Sequence, residues 1–126
     1  PGGRREPNDR GLLETALRET HEETGVELTP ATCLGELDDL APSTPVLPPV
    51  LVRPFVFGLP RRPETTLSGE VDRILWTPLL GLKTVEVESQ VTVRGAELTV
   101  PAYRIGPHVV WGMTHRILKP FIQLIS

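Results

Sequence analysis

Proline sets the first limit on this chain. Fourteen of its 126 residues are proline, and they concentrate between Pro42 and Pro63. Proline has no backbone N–H to donate and costs a bond inside a regular helix. That stretch therefore belongs to loops and sheet edges, and helical periodicity has to be sought on either side of it. The length suits one domain around one core, and a single domain over residues 1–126 is expected. Pro1-Gly2-Gly3 is a turn sequence with helical pattern close behind it. A globular domain rarely opens so abruptly, which predicts residues, including N-terminal strands, upstream of Pro1.

Helical spacing recurs after the opening loop. Leu13, Ala16, Leu17, Thr20 and Thr24 share one weakly apolar face, predicting a helix from about residue 9 to residue 24. Asp9 or Asn8 would cap it, and Gly25 would end it in a left-handed conformation. Thr32 to Leu40 reads as a short strand, Ala41 to Pro49 as a proline-rich loop, and Val50 to Leu59 as a strand that Pro54 places at a sheet edge. Arg61 to Gly69 is turn-like, and Glu70 to Trp76 is a short apolar run leading into Pro78. Thr84 to Val93 alternates, Arg94-Gly95 signals a turn, and Leu98 to Ile105 returns as a hairpin arm. A last helix is expected from Val109 to Lys119, with Pro120 ending or kinking it. Strands mixed with an early and a late helix predict an α/β or α+β fold in which helices sandwich a mixed sheet.

Hydrophobic residues at 39% and charged residues at 23% suit a soluble globular fold rather than disorder. The net charge of −3 offers no basic stripe for nucleic acid. It leaves anionic small molecules open as substrates, because bound dications invert a local field. Cys33 is the only cysteine, so no disulfide framework can form, and a buried, inert thiol in a reducing, cytoplasmic setting is expected. No apolar run reaches membrane-spanning length. The expected partner is a small-molecule nucleotide, with neither nucleic acid nor membrane, and a monomer or homodimer.

The chemistry concentrates in Arg18-Glu19-Thr20-His21-Glu22-Glu23-Thr24-Gly25. On a helix, Glu19, Glu22 and Glu23 crowd about a third of the circumference, beside the apolar face. Such a cluster is commonly only a solvated face. It is also self-repelling, and hard dications such as Mg2+ or Mn2+ relieve the repulsion through carboxylate oxygens. His21 turns to the opposite side. His108 and His115, seven apart, share a helix face without a third ligand. Trp111 is expected to pack in the core or under a substrate loop, and Tyr103 or Trp111 would stack on a base.

Gly2-Gly3, fourteen residues, then Arg18-Glu19-x-x-Glu22-Glu23-x-Gly25-Val26 resembles the Nudix hydrolase family. That family's box is Gly, five residues, Glu, seven residues, Arg-Glu-aliphatic-x-Glu-Glu-x-Gly-aliphatic. Thr20 stands where an aliphatic residue is usual. Asp9 replaces the first Glu, with eight residues rather than seven before Arg18. Pro1-Gly2-Gly3, acidic Glu6 and Asp9, Thr15-Ala16-Leu17-Arg18-Glu19, Leu34-Gly35-Glu36-Leu37, Gly69-Glu70-Val71 and Val110-Trp111-Gly112-Met113-Thr114 look like its coenzyme A diphosphatase branch.

The resemblance implies a Nudix-like α/β/α sandwich and a pyrophosphatase that needs Mg2+ or Mn2+. Glu19, Glu22, Glu23 and the carbonyl of Gly3 (or Gly2) would hold metal, and one of these glutamates would position water. Arg18 would orient a glutamate, and its spacing also allows an i,i+4 pair with Glu14. Glu70 is similar in place to a late acidic residue that assists metal or water. Arg4 and Arg5 would reach a substrate phosphate, with Arg53, Arg61, Arg62 and Lys83 as alternatives. The implied products from coenzyme A are 4'-phosphopantetheine and adenosine 3',5'-bisphosphate. Two alternatives stay open: a Nudix hydrolase for ADP-ribose, nucleotide sugars or nucleoside triphosphates, and a non-catalytic Nudix-like binding module.

Overall fold

The computed structural model describes residues 1–41 and 50–126, and the expected loop over 41–49 lies outside them except for Ala41. Helices and strands are interspersed, as the class requires. Every strand pairing among the described residues is antiparallel, where a mixed sheet was expected. The described residues group into two compact units, one ending at Leu75 and the other running from Trp76 to Ser126.

In the first unit, helix α1 spans Leu12–Thr24 and so begins three residues later than the spacing predicts. Its N-cap is Gly11, which makes no side-chain capping bond. Asp9 does not cap the helix. Its carboxylate is drawn inward, accepting from the Glu6 N–H and the Thr15 hydroxyl, each at 2.9 Å. Thr15 and Thr20 are the buried positions of α1. The Thr15 hydroxyl donates to Asp9 at 2.9 Å or to the Gly11 carbonyl at 3.2 Å, so its burial leaves no orphaned polar atom.

Gly25 ends α1 as expected, at φ 74°, with its N–H on the His21 carbonyl at 2.8 Å. A Cβ at this position would lie 3.1 Å from the Cβ of Thr66. Gly25→Ala therefore meets both a left-handed backbone and a close neighbour. Its expected cost is about 1–2 kcal/mol in chemical denaturation. An unchanged denaturation midpoint would contradict both arguments.

The two strands of this unit are shorter than the sequence suggests. β1 is Cys33–Glu36 and β2 is Phe55–Phe57, paired with an irregularity between Cys33 and Gly35. Pro54 lies just outside β2 and contributes only its carbonyl, which accepts the Leu37 N–H at 2.9 Å. The missing proline N–H interrupts the ladder. Beyond it the pairing survives as a single Leu40–Val52 bridge. Cys33 is half-buried rather than enclosed, with its thiol 3.6 Å from the Gly35 carbonyl oxygen.

The second unit is a meander of β3 (Glu86–Val93), β4 (Ala96–Ile105) and β5 (His108–Trp111), followed by α2 (Met113–Ile125). Arg94 at φ 50° and Gly95 at φ 80° join β3 to β4, with Val93 opposite Ala96. Two successive left-handed residues match the twist of the flanking strands, which is why a two-residue turn suffices. Residues Val109 to Trp111, expected to open the final helix, instead extend the sheet opposite Arg104, Tyr103 and Ala102. The β-branched Val109-Val110 pair suits a pleated surface, and Gly112 at φ 70° separates strand from helix.

Pro120 does not end α2, which continues to Ile125. A proline inside a helix costs about 3 kcal/mol. Burying a side chain such as Ile122 returns about 1.5–3 kcal/mol, and Leu118 adds to this. Ile122 is 2% exposed and packs with Leu82 and Tyr103, with Leu118, Val110 and Ile105 around them.

His115 lies on α2 and His108 on β5, so the expected shared helix face does not exist. His115 is buried and 2.7 Å from Glu86, which also accepts from Lys119 at 3.1 Å. These bonds, that of His115 first, hold the Glu86 carboxyl below its ordinary value. Tyr103 is 2% exposed, with its ring 4.8 Å from that of His115, and burial pushes its hydroxyl pKa up. It is not available to stack on a base. Trp111, expected to be packed, is 39% exposed.

Candidate active site

The first unit brings together the residues on which the sequence argument turned. Glu19, Glu22 and Glu23 of α1 line one side of an open cleft of about 220 Å³, and Ser68, Gly69 and Glu70 complete its wall. The helix supplies the clustering, since positions three and four apart share a face. Glu22 is exposed, while the Glu19 side chain is only 18% exposed.

Arg18 sits behind this row of carboxylates. Its Nη1 donates to Glu19 at 2.9 Å and to Glu22 at 3.1 Å, and lies 3.4 Å from Glu6. Its Nε and Nη2 each reach Asp9 at 3.0 Å, and Nη2 also donates to the Arg4 carbonyl at 3.1 Å. Asp9 first, then Glu19 and Glu22, push the guanidinium pKa above its ordinary value, so the charge is permanent. The same contact depresses Asp9, whose carboxyl lies well below the usual carboxylate range. The i,i+4 pair of Arg18 with Glu14 is not made. Glu14 instead accepts the Arg10 N–H at 3.3 Å, because Arg18 is committed on its other side.

The glycine loop lies directly on this arrangement. A side chain at Gly3 would overlap the Glu19 carboxyl, and the Gly2 N–H points to Glu23 at 3.4 Å. Close backbone approach therefore requires glycine at position 3. Arg4 and Arg5 do not line the cleft. Arg5 donates to the Asp9 carbonyl at 3.0 Å and so stitches its own loop. Arg53 is occupied by Asp39 at 2.8 Å. His21 is exposed, 3.6 Å from Glu27.

Thr66 and Ser68 were not singled out for this site by sequence, and Asp9 was expected only as a helix cap and as the replacement for the first Glu of the box. Asp9 gives no helical signal for its role as the anchor of Arg18. Thr66 and Ser68 sit in a loop, and their backbone N–H groups meet the Thr24 and Glu23 carbonyls at 2.8 and 3.4 Å. No spacing rule relates residue 24 to residue 66.

Carboxylate oxygens are the donors that Mg2+ and Mn2+ prefer. Among the described residues, no three acidic, histidine or cysteine side chains converge closely enough to encircle an ion as they stand. Arg18 holds one oxygen each of Glu19 and Glu22 by its own charge. The donor chemistry fits a dication, which would have to compete with Arg18 for these oxygens.

The profile described as the NUDIX domain matches residues 1–94. The chain belongs to the Nudix family. This Nudix chain is 34% identical over 134 aligned residues to human "Mitochondrial coenzyme A diphosphatase NUDT8", covering 100% of itself and 54% of that protein. It is 33% identical to "Uncharacterized Nudix hydrolase NudL" of Photorhabdus laumondii, of which it covers 67%. The mouse protein named "Mitochondrial coenzyme A diphosphatase NUDT8" is 32% identical, with 61% of its length covered. The chain thus spans about half to two thirds of the length of these relatives.

Proposed function

We propose that this Nudix domain hydrolyses the diphosphate of coenzyme A or its derivatives to 4'-phosphopantetheine and adenosine 3',5'-bisphosphate. The observation that carries the reading is the cleft in which Glu19, Glu22 and Glu23 of the box face Glu70. The substrate choice draws on relatives named as coenzyme A diphosphatases and 32–34% identical over the whole chain.

Nudix hydrolases generally use Mg2+ or Mn2+, and Glu19, Glu22 and Glu23 would hold it here, with the carbonyl of Gly3 as a further ligand. Bound dications supply charge neutralisation on the diphosphate and lower the pKa of water. In the reaction, water adds to one phosphorus and the bridging anhydride P–O bond breaks. The leaving phosphate takes the electron pair, and the proton of the water passes to a cleft carboxylate. Arg18 orients Glu19 and Glu22 by binding one oxygen of each, and Glu70 holds or deprotonates water from the facing wall. Arg4, exposed beside the box, is the cation that meets a substrate phosphate, whereas Arg5 is tied to its own loop.

The test is a panel of coenzyme A, ADP-ribose, a nucleotide sugar and a nucleoside triphosphate, each with Mg2+ or Mn2+ and read by product chromatography. Coenzyme A is expected to give the highest kcat/KM and the two named products. Faster turnover of ADP-ribose would overturn the substrate choice. No turnover of any member would favour a binding module.

A further inference from the structure

The structure assigns Ser68 the role of a positioning residue for Glu70, an inference that rests on the catalytic reading of the Glu70 cleft. A helix leaves its last carbonyls without intrahelical partners. At the end of α1 the segment 66–70 fills that need. The Thr66 N–H donates to the Thr24 carbonyl at 2.8 Å, and the Ser68 N–H to the Glu23 carbonyl at 3.4 Å. Bare Gly25 makes room for Thr66 at the same point.

Ser68 then turns the strap toward the cleft. Its hydroxyl oxygen accepts the Glu70 N–H at 3.3 Å, and its carbonyl accepts the Val71 N–H at 3.2 Å. This residue is therefore bonded on one side to Glu23, a carboxylate-bearing residue of the cleft, and on the other to Glu70. Between them stands Gly69, the residue that most needs outside help to hold one backbone conformation. The 68–71 backbone bond closes the turn around Gly69-Glu70, and the hydroxyl is the described group that holds the Glu70 N–H itself. Ser68 is part of the cleft wall, but its hydroxyl is bonded to the Glu70 N–H, so acting through Glu70 its effect belongs in kcat rather than in substrate affinity.

The experiment is a double-mutant cycle of Ser68→Ala and Glu70→Gln, with Ser68→Thr as the conservative variant. Steady-state kinetics are measured on the metal-loaded protein, and amide exchange at Glu70 on the metal-free protein. Ser68→Ala is expected to lower kcat about three- to ten-fold, the worth of one hydrogen bond, with KM held within about two-fold. The Glu70 amide should exchange faster, Ser68→Thr should restore both readouts, and Ser68→Ala should add nothing in the Glu70→Gln background. Wild-type kcat and exchange in Ser68→Ala, or losses that multiply with those of Glu70→Gln, would overturn the inference while leaving the proposed function standing. A fully active Glu70→Gln variant would remove the role of Glu70, and that of Ser68 with it. Whether Glu22→Gln is inactive reports separately on the carboxylate cleft itself.

Discussion

Glu22→Gln is expected to lower turnover by about 10²–10⁴-fold, the usual range for losing a group that handles protons or charge at the reacting centre. The substitution keeps the size and shape of the side chain and removes only the negative oxygen. Glu22 is the cleft position where this isolates chemistry from folding. Its side chain is 55% exposed, and its one described bond is to Arg18 at 3.1 Å. An exposed ion pair contributes about 0–1 kcal/mol to stability, so the metal-free protein should unfold within a few degrees of wild type. Arg18 keeps Asp9 and Glu19 as partners in the variant. Product release from coenzyme A under saturating Mn2+, paired with thermal unfolding, reads both quantities. Turnover equal to wild type would remove the metal role from this helix face.

Asp9→Asn is expected to have the largest effect on stability, lowering the unfolding midpoint by on the order of ten degrees. The argument is one of donors and acceptors. The Asp9 carboxylate is 4% exposed and accepts from Arg18 on one oxygen, and from Thr15, Glu6 and Arg18 on the other. All of these partners donate. Asparagine replaces one acceptor with an NH2 group, and either flip sets that group against a donor. Loss of the anchor would also turn the full charge of Arg18 onto Glu19 and Glu22, so weaker Mn2+ binding should accompany the loss of stability.

The pH dependence identifies the cause. The Arg18 bond first, and the Glu6 N–H next, hold the Asp9 carboxyl below its ordinary value of 3.8 against the opposing effect of burial. A carboxyl depressed in the folded state adds stability in full above the unfolded value, and loses it as pH falls through the folded one. The stability gap between wild type and Asp9→Asn should therefore stay constant from neutral pH to about pH 5, and narrow only below about pH 4. A gap that is flat through acid would show that packing, rather than charge, sets the role of Asp9.

Local rules carried the sequence reading where neighbours along the chain decide the outcome. The clustering of Glu19, Glu22 and Glu23 follows from 3.6 residues per turn, and the stop at Gly25 from its missing Cβ. The Arg94-Gly95 turn follows from Gly95, which takes a positive φ without a Cβ penalty. Each of these is a property of a few consecutive residues, and each is present in the structure.

Tertiary structure decided the rest, because it depends on partners far apart in sequence. Val109 to Trp111 carry no periodicity that separates strand from helix, and β4 decides for them by offering an open edge. Pro120 breaks a rule of local geometry, and α2 runs through it because the burial of Ile122 and Leu118 together offsets the lost bond. Asp9 reads as a helix cap in isolation, but Arg18 and Thr15 together offer it stronger donors than the start of the helix does. Glu70 lines the same cleft as the box glutamates, and the loop that carries it is tied to α1 by N–H groups of Thr66 and Ser68 on carbonyls that the helix leaves open. The carboxylate row was written in one turn of helix; the opposite wall of the cleft exists because unpaired carbonyls at the end of that helix need donors, and a distant loop supplies them.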